Sequence, residues 1–235
     1  MRVRTFAALL IDFDGTTVDS EPKHCAAHRR FLATQGIEVD DAVIYGNVGK
    51  SDRLFYLDLM ARFGRQADPL EWMAAKTETL IGIYRSEGLE LRPGVRELLD
   101  HAWSDGVATC LVTSTERRVA QVALEIIGLE RRLSSRVCYE DVVRRKPDPM
   151  PYLLAAERLS VPIERCLAVE DSVSGVTSAS AAGAVTIGLI GLASESQLLA
   201  AGASRCVHSL AELVPLYAQP GATSSFRRQS KRPTG

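Results

Sequence analysis

No two cysteines in this chain have the close spacing of a zinc or disulfide-exchange site. The five thiols, Cys25, Cys110, Cys138, Cys166 and Cys206, are scattered through 235 residues, which removes the C-x-x-C metal and redox motifs. Cys110, Cys138, Cys166 and Cys206 sit in or beside apolar runs and read as reduced core residues. An odd number without pairing spacing favours a reducing compartment, so a cytoplasmic location is expected. An excess of charge of one sign is also missing. Lys and Arg number 28 against 29 Asp and Glu, a net charge of -1, so no global field points to nucleic acid or to an acidic membrane surface as a partner. No apolar run approaches the roughly 18 residues of a membrane-spanning helix. The run that ends at Ile11 is short, stops on Asp12 and is followed by no small-residue cleavage site. It reads as a buried first strand and not as a signal peptide. There is no internal repeat.

What remains is an ordinary globular composition, 46% hydrophobic and 24% charged, enough for one sizeable core with a smaller satellite. Short apolar runs at 6–13, 107–112, 136–139, 166–169, 184–190 and 205–208 read as buried strands. Stretches of helical period at 95–104, 117–127, 151–159 and 173–182 lie between most of them. Strands apolar on both faces and separated by helices predict an α/β fold, a doubly wound parallel sheet. The region 19–89 breaks the alternation. It reads as consecutive helices at about 22–35, 51–63 and 69–85, punctuated by Gly36, Gly49 and Gly64. An all-helical insert after the first strand predicts a smaller domain at 19–89, joined near 16–20 and 89–93 to a core formed by 1–18 and 90–218. The segment 219–235 is rich in Gly, Pro, Ser and Thr and carries Arg227, Arg228, Lys231 and Arg232 without an acid. It reads as a disordered basic tail.

The chemistry collects where apolar runs end. Asp12 and Asp14, in Ile11-Asp12-Phe13-Asp14-Gly15-Thr16, close the first run, and paired acids at the end of a buried strand are costly unless they bind something. The plainer alternative is a turn signal in Asp14-Gly15. Thr113 ends the run Cys110-Leu111-Val112 and is followed by Ser114 and Thr115. These hydroxyls suit phosphate oxygens, or the N-cap of the next helix. Lys146, before Pro147, lies in an extended stretch where its ammonium could neutralise a carboxylate and a transferring phosphoryl group. Arg144 and Arg145 read as a solvated loop. Glu170 and Asp171 end the run at Leu167-Ala168-Val169. As hard oxygen ligands they suit Mg²⁺, against the alternative of helix capping by Asp171 or Ser172. In an open parallel sheet such strand ends converge on one edge, where ligands bind. Together the groups make a phosphoryl-transfer site: a carboxylate nucleophile, a second acid to handle the leaving-group proton, and a lysine with a metal to absorb charge.

The series Asp12-Phe13-Asp14-Gly15-Thr16, Thr113, Lys146-Pro147-Asp148-Pro149 and Glu170-Asp171-Ser172 with Gly175 resembles the haloacid dehalogenase superfamily of phosphatases, over the chain to about residue 217. The resemblance implies Asp12 as nucleophile and Asp14 as acid/base, with the Asp14 backbone carbonyl also on the metal. It implies Thr113 and Lys146 on the phosphoryl group, Asp12, Asp14, Glu170 and Asp171 around Mg²⁺, and a helical cap over a Rossmann-like core. Asp14 itself sets the chain apart from the dehalogenase branch, whose halide leaves without a proton. Lys50 and Lys76 are cap lysines, as the phosphonate-cleaving branch requires for a Schiff base, yet the second acid favours phosphate esters.

The segment Asp19-Ser20-Glu21-Pro22-Lys23-His24 is similar to the branch of β-phosphoglucomutase and CbbY-like sugar phosphatases, in which a histidine near the acid/base would be His24; the alternative for His24 is an exposed helix residue. The segment 47–53 resembles that branch's specificity loop, so Lys50 and Arg53, with Ser114, are expected on the substrate. Gly49 and Lys50 stand where the mutases have serine and arginine, and Arg117 where they have asparagine. The expected activity is therefore a Mg²⁺-dependent phosphohydrolase of small phosphorylated metabolites, sugar phosphates foremost. A sugar phosphomutase is the alternative. A phosphorylated signalling domain on a parallel sheet fits less well, because the acids are spaced and the helical insert is present. The expected partner is a small phosphate ester, with neither nucleic acid nor membrane, and the resemblance implies a monomer.

Overall fold

The computed structural model describes residues 6–47 and 51–214. The chain opens with strand β1 (Ala8–Ile11) and then forms four helices in succession, α1 (Glu21–Thr34), α2 (Asp41–Tyr45), α3 (Asp52–Arg62) and α4 (Pro69–Glu87). Strand and helix then alternate: α5 (Val95–Ser104), β2 (Ala108–Val112), α6 (Arg117–Ile127), β3 (Ser135–Val137), α7 (Met150–Arg158), β4 (Cys166–Glu170), α8 (Val173–Ala182), β5 (Val185–Leu189), α9 (Glu195–Ala201) and β6 (Arg205–Val207). The six strands form one sheet in the order β3-β2-β1-β4-β5-β6, and every pairing is parallel. Strand order reverses between β1 and β4, so a crevice opens at their carboxyl ends.

The side-chain period of two decides which helices cover which face. Leu9 and Ile11 of β1 join the cluster that includes Leu98 and Leu99 of α5 and Val119, Ala120 and Leu124 of α6. Ala8 and Leu10, on the opposite face, pack with Tyr152 and Ala155 of α7 and Ala179 of α8. All four residues of β1 are fully buried. That explains an apolar run with no polar alternation, and it places the first residue beyond the strand, Asp12, at the mouth of the crevice.

The four helices after β1 have a core of their own, made by Phe31, Leu32, Ile37, Phe55, Tyr56, Leu59, Met60 and Trp72. Phe31, Tyr56 and Trp72 meet edge to face at centroid separations of 5.4 to 5.7 Å, the geometry aromatic quadrupoles prefer. Farther along α4, Leu80, Ile81, Ile83 and Tyr84 belong to the sheet's own apolar cluster, so α4 ties the insert to the sheet. The two connecting segments also pair with each other. Val18 bridges Leu91 in antiparallel fashion, Asp19 N–H donates to the Glu90 carbonyl at 3.3 Å, and Arg92 N–H donates to that of Thr17 at 3.0 Å.

Two helices are additional to the sequence expectation. α2 has five residues, too few to show a helical period. α9 has seven and announces itself only through a capping box, Ser194 with Gln197. All cysteines are free, and Cys25, Cys110, Cys138 and Cys166 are buried. No described helix is long and apolar enough to cross a membrane. The segment 219–235 lies outside the described residues.

Candidate active site

Four strand-end segments deliver polar groups to one point. Beyond β1 the backbone turns sharply. Phe13 carbonyl accepts from Thr17 N–H at 2.8 Å and Val18 N–H at 3.1 Å, and Gly15 N–H donates to Val18 carbonyl at 2.8 Å. This turn separates the duties of the two acids, because Asp12 faces the sheet edge and Asp14 faces the helical insert. Gly15 sits at φ +79°, and a Cβ there would lie 2.1 Å from Asp171 Oδ2, so only glycine leaves room for that carboxylate.

Lys146 is the hub. Its buried ammonium donates to Asp12 Oδ1 at 2.6 Å, Glu170 Oε1 at 2.5 Å and the Val112 carbonyl at 2.8 Å, which uses all three donors. Burial disfavours its charge, but Asp12 and Glu170 outweigh that and hold the ammonium well above the ordinary lysine range. Glu170 is fully buried. Besides Lys146 it accepts from Tyr152 Oη at 2.9 Å on Oε1, and from Ser172 N–H at 3.3 Å and Ser172 Oγ at 3.1 Å on Oε2. Asp171 Oδ1 accepts from Thr16 Oγ1 at 3.2 Å.

One carboxylate oxygen from each of Asp12, Glu170 and Asp171 lies within 4.8 Å of the others. Three acids share a single lysine. Burial first, and then the Glu170 charge, pushes Asp12 well above the ordinary carboxylate range and Asp171 up to about 7. A cluster of hard oxygen donors with unbalanced negative charge fits a divalent cation such as Mg²⁺.

Asp14 is differently placed. Oδ1 accepts from Ser20 Oγ at 2.6 Å, Oδ2 accepts from Thr115 Oγ1, and His24 Nε2 faces Oδ1 at 3.7 Å, a little long for a hydrogen bond. Burial raises its pKa, but His24, Ser20 and Thr115 outweigh burial and hold it down at about 2. His24 is thus beside this acid and is no merely exposed helix residue.

The hydroxyls after β2 divide in an unexpected way. Thr113 is buried, and its Oγ1 accepts from Thr115 N–H at 2.9 Å. Ser114 is exposed, and Thr115 reaches Asp14. None of the three caps α6, whose first N–H, that of Arg117, donates to both oxygens of Glu140 at 3.1 and 3.0 Å. On the fourth segment the capping alternative holds for Ser172, which accepts from Gly175 N–H at 3.0 Å, and leaves Asp171 in the acid cluster. Arg53 is exposed on α3, and Lys50 lies outside the described residues. Arg144 pairs with Asp148 at 2.9 Å, Arg145 stacks 3.6 Å over the Tyr139 ring, and Arg117 pairs with Asp141.

Sequence reasoning passed over Thr16, Ser20 and Tyr152, and it gave the Thr115 hydroxyl to phosphate oxygens or a helix cap where the structure gives it to Asp14. Thr16 and Ser20 carry hydroxyls next to motif residues, a signal available but ambiguous. Tyr152 gives none, because a tyrosine on an apolar helix face reads as core.

The chain matches the model of the haloacid dehalogenase-like hydrolases over residues 6–183. It is 34% identical over 176 residues to the phosphorylated carbohydrates phosphatase of Thermotoga maritima, covering 75% of this chain and 81% of that protein. To a CBBY-like protein of Arabidopsis thaliana it is 33% identical over 198 residues, covering 77% of this chain but only 62% of the plant protein, so it spans less than two thirds of that relative. Among solved structures, CbbY of Rhodobacter sphaeroides in complex with xylulose-(1,5)bisphosphate superposes with a TM-score of 0.72 at 27% identity, over 88% of this chain and 96% of that one. The chain therefore belongs to the haloacid dehalogenase-like hydrolase family, in its CbbY and β-phosphoglucomutase branch.

Proposed function

We propose that this protein hydrolyses the phosphate monoesters of small carbohydrates through a phosphorylated Asp12. The observation that carries the reading is the Lys146 ammonium, 2.6 Å from Asp12 and 2.5 Å from Glu170, with Asp171 beside them. Asp12 attacks phosphorus through a carboxylate oxygen, and the ester oxygen departs with the proton that Asp14 supplies. Asp14 then takes a proton from the water that attacks the phosphoryl-aspartate, releasing phosphate and restoring Asp12. Lys146 follows the charge on the phosphoryl oxygens, and Thr113 and Ser114 offer them hydroxyl and backbone donors. Asp12, the Asp14 backbone carbonyl, Glu170 and Asp171 would hold Mg²⁺, which when bound adds positive charge to the phosphoryl group.

His24, Ser20 and Thr115 hold Asp14 below the ordinary carboxylate range, at about 2, so it starts ionised. Its proton must therefore arrive with the substrate's approach, as the insert closes and water leaves. Residues 19–89 would serve as that cap, with His24, Lys50 and Arg53 toward the substrate. Residues 1–18 and 90–218 would be the core, and the protein would act as a cytoplasmic monomer.

Purified protein with Mg²⁺ and a panel of sugar phosphates should release inorganic phosphate, and Asp12→Asn should abolish the release. Glucose 6-phosphate formed from β-glucose 1-phosphate with traces of bisphosphate, without free phosphate, would instead make the protein a mutase.

A further inference from the structure

The Asp14 carboxylate is held from two sides. Ser20, in the segment that leads into α1, donates to Oδ1 at 2.6 Å, and Thr115, in the loop between β2 and α6, donates to Oδ2. Thr115 is fixed in turn through its backbone. Its N–H donates to Thr113 Oγ1 at 2.9 Å, and its carbonyl accepts from the N–H of Tyr139, just beyond β3, at 3.1 Å. The side chain that reaches Asp14 is therefore carried by a loop tied to the ends of two neighbouring strands.

The bond from Thr115 N–H also acts on Thr113. It occupies an acceptor position on Oγ1 and leaves the hydrogen of that hydroxyl to be donated elsewhere, as the phosphoryl role of Thr113 requires. One residue thus orients two groups of the site, Thr113 through its backbone and Asp14 through its side chain. Ser20 stands on the insert's side of Asp14, whereas Thr115 shares its loop with Thr113. Of the two holds, that of Thr115 sets where the acid/base lies relative to the phosphoryl group. A carboxyl just beyond a strand can rotate about its side-chain bonds, and a proton presented away from the ester oxygen does not assist its departure.

We propose that Thr115 is a positioning residue for the acid/base: its hydroxyl holds Asp14 Oδ2 in register with the phosphoryl-binding loop, so that the carboxyl delivers its proton to the departing ester oxygen. The inference rests on the phosphatase reading above. On this assignment the hydroxyl serves the leaving group's proton, and not the phosphate oxygens or the helix N-cap to which the sequence alone offers it.

The test compares two kinds of leaving group, using the full chain with Mg²⁺. A sugar oxygen leaves phosphorus only as it takes the Asp14 proton, so the P–O bond breaks while an O–H bond forms. p-Nitrophenolate is stable as an anion and leaves without that proton. kcat/KM covers the steps up to this departure and omits the later hydrolysis of phosphoryl-Asp12. Thr115→Val keeps the shape and the N–H that Thr113 accepts, and loses only the hydroxyl. It should lower kcat/KM about ten- to a hundredfold for the sugar phosphate that wild type turns over fastest, the scale of one hydrogen bond to a charged group. For p-nitrophenyl phosphate it should leave kcat/KM nearly unchanged. Thr115→Ser should restore the wild-type ratio of the two substrates, and Thr115→Ala, which cannot overpack the loop, should repeat the split. Equal losses on both substrates would assign the hydroxyl to the phosphoryl group or to the fold and overturn the proposal, as would wild-type rates on both. Turnover of sugar phosphates without the split defeats only the role of Thr115, whereas wild type that releases phosphate from no sugar phosphate defeats the phosphatase reading and this inference with it.

Discussion

Replacing Gly175 with alanine should reverse the usual sign of a glycine-to-alanine change in a helix. Gly175 lies in the first turn of α8, where alanine is intrinsically favoured by up to about 1 kcal/mol. A Cβ at this position would lie 1.8 Å from Glu170 Oε1 and 2.1 Å from Oε2, so the carboxylate must move. It cannot do so cheaply, because it is fully buried and held by Lys146, Tyr152 and Ser172. Loss of two such bonds to a charged group costs about 3–6 kcal/mol, against which the helix gain leaves a net destabilisation of about 2–5 kcal/mol. For a chain of this size that is a fall in Tm of roughly 4–20 °C. Gly82 is the internal control. It is exposed in the interior of α4, and a Cβ there meets nothing within 4 Å. Gly82→Ala should stabilise by about 0.5–1 kcal/mol. Thermal denaturation of both variants, with phosphate release measured in parallel, gives the answer. Gly175→Ala as stable and active as Gly82→Ala would refute the tight packing of Glu170 that underlies the site.

Further outcomes follow from the same contacts. Asp12 and Asp171 have folded-state pKa values above their unfolded values, Asp171 at about 7. Between roughly pH 4 and 7 the metal-free folded state binds the extra protons, and stability falls as pH rises through that window. Mg²⁺ should therefore raise Tm more at pH 8 than at pH 5, and an equal shift at both would contradict the shared-charge picture. Tyr152→Phe removes a buried donor to Glu170, 2.9 Å away; scanning calorimetry should show a loss of about 1.5–3 kcal/mol, and no loss would mean that this hydroxyl does not hold the carboxylate. Burial pushes the Cys110 thiol up to about 12 and those of Cys138 and Cys166 up to about 11, so these three should resist a thiol reagent at pH 8 until the protein is unfolded.

The fold was legible because its signals were long and mutually consistent. Apolar runs of both-face burial in β1, β2, β4 and β5 alternate with helical periods, and α5, α6 and α8 begin and end where their periods do. Asp12, Lys146, Glu170 and Asp171 were legible for an energetic reason, since charges at the ends of buried strands require partners. The residues around Asp14 were harder to read. Thr115 and not Thr113 reaches that carboxylate, a choice made by the turn after β2 that no spacing encodes. Lys76 and Asp52 are separated by 24 positions and meet only through the packing of α3 on α4. Such contacts depend on how the helices of the insert lie against one another, which periodicity does not specify.

The attack of Asp12 on phosphorus is most directly tested by trapping. Enzyme mixed with substrate and Mg²⁺, quenched in acid within one turnover and reduced with borohydride, converts an acyl phosphate to the alcohol, so peptide mass spectrometry should find homoserine at position 12 only when substrate was present. Reduction at another carboxylate, or none at position 12 while phosphate is being released, would contradict the account.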